Sequence, residues 1–169
     1  MRRFIDPKFD SLSSLTSKQW QELLLEKDVL NDCNYLSYCT IESLRMNPPV
    51  RFSTQMMPTE DLTLGDTYKI LKGQPISICI AYMANNPEHW RRPQEYLPER
   101  FDPTSELFLR PDGKKRHPMC FGPFLGGKRI CLGKTFAENI GKCVVALFVS
   151  QLDLTIVDEA VRNENPLYT

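Results

Sequence analysis

Cys131 stands in the stretch FLGGKRICLG, residues 124–133, where three glycines and two basic residues surround one sulfur. That mixture suits a thiolate held as a metal ligand. The charge of a thiolate is favoured beside cations and at a helix N-terminus. Lys128 and Arg129 precede Cys131, and a helical pattern, KTFAENIGKC, opens just after it. The sulfur of such a ligand also needs backbone N–H donors, which a glycine-permissive loop can aim at it. Gly126 and Gly127 allow that turn, and a close approach of a flat cofactor to the chain. Gly133 does the same on the far side. Phe124 is placed to shield the sulfur from water. Arg129 is placed to pair with an acidic cofactor group through a charge-assisted bond.

The elements that must position this loop follow from periodicity and from proline. SLTSKQWQELLLEK reads as a helix, with Thr16 and Gln19 in capping-box spacing. NDCNYLSYCTIESLRM reads as a second helix, stopped by Pro48-Pro49. Leu36, Thr40 and Leu44 share one of its faces; Tyr35, Tyr38, Glu42 and Arg45 share another. DLTLGDTYKI has the pattern of a hairpin with a two-residue Gly-Asp turn, and ISICI that of a buried strand. Residues 85–118 are polar and proline-rich, an irregular segment long enough to require a function or a tight tether. KTFAENIGKCVVALFVSQ reads as a strong helix with Phe136, Ile140, Val144 and Leu147 on one face, and LDLTIVD as a strand. Helices, then strands, then an irregular loop, then a helix and a strand make an α+β chain rather than a βαβ repeat.

Composition bounds the function classes. The chain has 169 residues, enough for one domain with a real core, and 41% of them are apolar. Lys+Arg and Asp+Glu both total 21, a balance that gives no support to a nucleic-acid footprint. No apolar run reaches the ~18–20 residues of a membrane span, and MRRFIDPKFD has no apolar core of a signal peptide. Six cysteines stand at 33, 39, 79, 120, 131 and 143 with no C-x-x-C pair, which argues against zinc and for reduced thiols. Five of them read as small core residues, and Cys131 as the exception. His89 and His117 read as loop histidines, and Trp90 as packing for the irregular segment.

The pattern Phe124-x-x-Gly127-x-Arg129-x-Cys131-x-Gly133 resembles the haem-binding loop of the cytochrome P-450 family. At average residue frequencies such a set arises by chance on the order of once in 10⁵ chains of this size. Two further matches stand in the family's order: Glu42-x-x-Arg45, and Arg100 in LPERF. The resemblance implies the mainly helical C-terminal part of that fold, with small antiparallel sheets and a long irregular loop before the cysteine pocket. It implies Cys131 as the proximal thiolate on iron, Arg129 as a propionate partner, and Phe124, Gly127 and Gly133 as the residues that shape the loop. It also implies that Glu42, Arg45 and Arg100 form a buried structural triad behind the haem. Burying such charges costs several kcal/mol each unless all are paired, so the triad is expected to serve positioning more than stability.

The resemblance carries an activity with it: insertion of one oxygen atom of O₂ into a small organic substrate, with electrons from a reductase or a ferredoxin-type redox partner. No acid/alcohol pair of the A-G-x-[DE]-T kind is present, and the Trp-containing helix that helps hold the propionates is missing too. Residues 1–169 are therefore expected to be a single partial domain, the haem-liganding portion, with the N-terminal portion of the fold absent. Monooxygenase activity is expected to be missing from these 169 residues alone. A truncated, non-catalytic fragment or haem-binding remnant is the first alternative. If the parent is a microsomal member, the endoplasmic reticulum membrane, on its cytosolic face, is the implied location. A cysteine-based thiol or redox protein would need a base beside Cys131, and the chain holds only two histidines. An interaction domain without cofactor would leave the glycine loop unexplained. Arg51, after the second helix, reads either as a second propionate contact or as a strand-edge charge. RPDGKKRH, a basic cluster, reads as solvated loop charge or as a surface for the electron donor.

Overall fold

The computed structural model describes residues 16–25 and 33–152. Helix α1 (Ser17–Leu25) opens on the capping box expected from the sequence. The Thr16 N–H donates to Gln19 Oε1 at 2.9 Å, and Gln19 N–H returns to Thr16 Oγ1 at 3.4 Å. Trp20, on this helix, is buried. Helix α2 (Asn34–Met46) ends at Asn47, whose φ of −127° leaves the helical region, which a following proline disfavours. Its buried residues are Glu42, Arg45 and Met46. Two of those three are charged, so this helix is anchored by a polar cluster and not by an aliphatic stripe.

Strands β1 (Leu62–Leu64) and β2 (Tyr68–Ile70) form an antiparallel hairpin in which Leu64 faces Tyr68 and Leu62 faces Ile70. That register leaves Gly65, Asp66 and Thr67 in the turn, one residue more than the Gly-Asp turn read from the sequence. Gly65 takes φ +57°, a conformation that glycine enters without steric cost. The ISICI segment departs further from expectation. It makes isolated antiparallel bridges, Met56 with Ile76 and Phe52 with Cys79, and its residues 76–79 are half-buried or exposed. Ile80 already begins helix α3 (Ile80–Asn85), because the Arg51 carbonyl accepts the N–H groups of both Ile80 and Ala81.

Residues 86–133 hold four short 3₁₀ turns, at Pro98–Phe101, Glu106–Phe108, Pro118–Cys120 and Gly127–Arg129. The long irregular segment is thus a string of turns, consistent with its prolines. Helix α4 (Lys134–Gln151) matches the predicted segment. It approaches α2 at Gly141, where an added Cβ would lie 3.8 Å from Thr40 Cγ2. Ala146 is buried on the same helix. Of the face read from the sequence, Phe136, Ile140 and Val144 are exposed and Leu147 is half-buried. The LDLTIVD strand lies outside the described residues, apart from Leu152. Of the cysteines, Cys33 and Cys120 are buried; Cys39, Cys79 and Cys143 are half-buried rather than core; none is disulfide-bonded.

Candidate functional site

The irregular segment is tied to α2 by charge. Glu42, Arg45 and Arg100 are each fully buried. Arg45 meets Glu42 as a fork, Nε to Oε2 at 2.8 Å and Nη2 to Oε1 at 2.9 Å. Arg100 Nε donates to the same Oε1 at 3.1 Å, and so does the backbone N–H of Leu97 at 2.9 Å. The carboxylate therefore has both oxygens occupied. The two guanidiniums spend their other N–H groups on carbonyls: Arg45 on Ala84 at 2.9 Å and Glu95 at 3.2 Å, Arg100 on Arg91, Arg92 and Glu95. Ala84 is near the C-terminus of α3, where free carbonyls favour a cation. Burial pushes the Arg100 guanidinium below its ordinary value, against the pull of Glu42. Such an arrangement holds only if every member is satisfied.

Around the triad stand aromatic and cationic side chains, among them Trp90, which packs the irregular segment as its sequence position suggests. Trp90 is buried, and its indole N–H donates to the Met83 carbonyl at 3.1 Å. Arg45 lies 5.3 Å and Arg116 4.5 Å from its ring centroid. Phe101 and Phe121 stand against Trp90 at 6.0 and 6.2 Å, and against each other at 5.5 Å. Arg116 was read as solvated loop charge or part of a partner surface; it is folded inward, donating to the carbonyls of Leu107 and Arg100. Burial and the charge of Arg100 lower it to about 10. Arg110 of the same cluster pairs with Asp112 at 3.3 Å.

Two phenols complete the attachment. Tyr35 donates to Glu99 Oε1 at 3.2 Å, and Tyr96 to the Cys39 carbonyl at 2.8 Å. Burial, reinforced by the Glu99 carboxylate, pushes Tyr35 above its usual range. Burial pushes Tyr96 up to about 12. Tyr35, Glu42 and Arg45, which share a face of α2 by spacing, all hold the irregular segment. Tyr96 and Arg116 gave no signal, because a tyrosine or arginine in a polar loop is ordinary until its partners are known.

Cys131 is exposed. Its backbone N–H donates to the Phe124 carbonyl at 3.0 Å, closing the loop from 124 to 131 on itself. The turn inside needs two left-handed residues, Gly127 at φ +65° and Leu125 at φ +57°. Gly126, at φ −162°, is extended and needs no glycine for its backbone. Helix α4 begins two residues beyond Leu132, with Gly133 at its N-cap and Lys134 N–H donating to the Cys131 carbonyl at 3.2 Å. A Cβ on Gly133 would come 3.8 Å from Cys131 Sγ. Phe124 is half-buried, with Lys134 Nζ 5.8 Å from its ring. Arg129 is exposed and forms no ion pair among the described residues. Beside the sulfur, Ile130, Leu132 and Phe136 are exposed apolar side chains, Leu132 completely so.

These residues fit a haem. The thiolate is a soft donor suited to iron, and this thiol lies open at the head of a helix. The neighbouring surface is apolar, as a porphyrin face requires, and a free guanidinium two residues away can take an acidic edge group. A separate cleft of about 380 Å³ is lined by Tyr82, Met83, Asn86, His89, His117, Met119 and Cys120, not by Cys131. His117 caps the turn at Pro118–Cys120 through Nδ1, which accepts from Met119 N–H at 3.1 Å; His89 Nδ1 is buried without a partner. The sequence reading had both as plain loop residues. Among the described residues no three acidic, histidine or cysteine side chains cluster as metal ligands.

Comparison with known proteins places this geometry. Residues 18–167 match the family model described as Cytochrome P450. Human Cytochrome P450 4F8 is 38% identical over 123 residues, covering 73% of this chain and 22% of its own length. The pig Taurochenodeoxycholic 6 alpha-hydroxylase is 36% identical, over 75% of this chain and 23% of its own. The chain thus spans about a quarter of the length of the curated relatives it matches. Among solved structures, the heme domain of a cytochrome P450DA mutant superposes with a TM-score of 0.66 at 26% identity, over 76% of this chain and 27% of that one. A retinoic acid-bound cyanobacterial CYP120A1 gives 0.61 at 26% identity, over 84% and 33%.

Proposed function

The chain belongs to the cytochrome P450 family, and from that premise we propose that it is the haem-liganding portion of a haem-thiolate monooxygenase, in which the Cys131 thiolate would hold the haem iron. Haem is the family's cofactor. When bound, it supplies the redox and oxygen chemistry, which a thiolate ligand promotes by pushing electron density toward O–O cleavage. The chain's own residues do the rest. Cys131 offers the sulfur from a loop closed by its own N–H on Phe124. Arg129 neutralises a propionate, and Gly133 leaves the side of the sulfur clear. Glu42, Arg45 and Arg100 hold the irregular segment so that the loop has a fixed base. The reaction of the whole catalytic unit is insertion of one oxygen atom of O₂ into a small organic substrate, with electrons from a redox partner. The name of one relative, Taurochenodeoxycholic 6 alpha-hydroxylase, supports hydroxylation. Residence at the endoplasmic reticulum membrane rests on likeness to the same relatives; no helix among the described residues is long and apolar enough to cross a membrane.

The observation that carries this reading is the exposed Cys131 at the head of α4, with an apolar surface beside it and a free arginine within reach. The test is an absorption spectrum of haem-loaded, reduced, carbon monoxide-treated chain, beside Cys131→Ala. A strongly red-shifted Soret band that vanishes in the variant is expected. A band unchanged by the substitution would remove Cys131 as ligand.

A further inference from the structure

Arg116 is a cation of the buried cluster that makes no direct ion pair among the described residues. The triad has one carboxylate for Arg45 and Arg100; Arg116 adds a third positive charge to it, and feels that carboxylate only at a distance. A half-buried guanidinium without a direct ion pair is costly, and carbonyls and ring faces offset that cost only when the geometry is held. The geometry here is specific. Nη1 donates to Leu107 O at 2.9 Å and Nη2 to Arg100 O, while Cζ lies 4.5 Å from the Trp90 ring centroid and 5.6 Å from that of Phe108. Arg116 is therefore joined to the triad through the Arg100 backbone, and to Phe121 through Trp90.

Those two attachments bracket the segment that enters the cysteine loop. Phe121 closes the turn at Pro118–Cys120, and three residues later Phe124 offers the carbonyl that takes the Cys131 N–H. Met119, inside the bracketed turn, is near the loop: a Cβ on Gly126 would lie 3.5 Å from its sulfur. We propose that Arg116 is a positioning residue for the Cys131 loop, clamping residues 116–121 onto the triad so that the sulfur stands in one place. The proposal rests on the haem-thiolate reading for its purpose. A lysine could supply the charge, but not two separate nitrogens, one for each of the two carbonyls.

The test uses the full chain without haem, and follows amide hydrogen exchange in Arg116→Met, Arg116→Lys and, as a control two residues away, Lys114→Met. The reporters are the N–H groups of Leu125, Ile130 and Cys131, bonded within the loop to Gly122, Gly127 and Phe124. Arg116→Met is expected to speed their exchange by about tenfold or more, the factor for one lost charge-assisted hydrogen bond. Peptides of α2 should stay within about twofold. Arg116→Lys should recover part of the protection, and Lys114→Met should change nothing. With haem added, Arg116→Met should also lower the share of bound haem that shows the red-shifted carbon monoxide band. Loop exchange that stays unchanged, or that rises no more than α2, would overturn the proposal. If the parent chain lacks a Cys131-dependent band, the ligand assignment fails, and the exchange result still decides on Arg116.

Discussion

At Gly127 the need for glycine is conformational alone. Its φ is +65°, and a Cβ there would meet no atom within 4 Å. The cost of a side chain is then the left-handed backbone itself, about 1–2 kcal/mol. Gly127→Ala is expected to lose that much stability in urea unfolding. Gly126→Ala should stay within about 0.5 kcal/mol, because its backbone is extended and its new methyl would only touch Met119. Equal losses from the two substitutions would show that the turn is held differently. The sequence marked both glycines alike; backbone geometry separates them and hands the second left-handed position to Leu125. Cys131 was legible for another reason. A sulfur flanked by glycine and by basic residues serves packing poorly, so its chemistry showed in its neighbours.

The elements meet at a carboxylate. Glu42 on α2 receives Arg45 from its own helix and Arg100 from the turn at Pro98–Phe101. Replacing one member of a buried set leaves charges uncompensated, typically at a cost of about 3–5 kcal/mol. Glu42→Gln should lower stability by that amount in a denaturant titration. Breaking the exposed pair by Arg92→Gln should cost no more than about 1 kcal/mol, since Arg92 and Glu95 are 54% and 53% exposed. A Glu42→Gln loss as small as that of Arg92→Gln would mean that the cluster is open to water. From the sequence, Glu42-x-x-Arg45 alone is indistinguishable from a surface ion pair. What distinguishes it is a third residue 58 positions from Glu42, Arg100, which periodicity cannot connect.

Over the whole molecule, the tie between α2 and the irregular segment also depends on neutral phenols. Tyr96 rises from 10.0 to about 12 on folding, and Tyr35 rises as well. Between those values the folded chain holds more protons than the unfolded one. Stability is therefore whole below pH 10.0 and falls as pH climbs toward about 12. Arg116, held down to about 10, acts in the opposite sense, so the contribution of Tyr96 is read as the difference between the chain and Tyr96→Phe. That difference should shrink as pH rises through the window; a constant difference would place the phenol in free solvent. At the same scale, Phe136, Ile140, Val144 and Phe148 stand exposed along α4. The face Phe136, Ile140, Val144 and Leu147 was plain in the sequence, but which side of α4 meets α2 was not; Gly141 stands at that approach, where an added Cβ would lie 3.8 Å from Thr40 Cγ2.

By itself the sequence determined helices α1, α2 and α4, the loop that presents a sulfur and the family it belongs to. Each of these is written in residues within a few turns of one another, where periodicity, capping and glycine chemistry act. The tertiary structure alone decided that ISICI is a set of bridges rather than a strand, that the hairpin turn has three residues, and that Arg116 folds inward onto Trp90. Those outcomes depend on carbonyls and ring faces brought together from distant parts of the chain. No local pattern records which of several polar partners a buried charge will find.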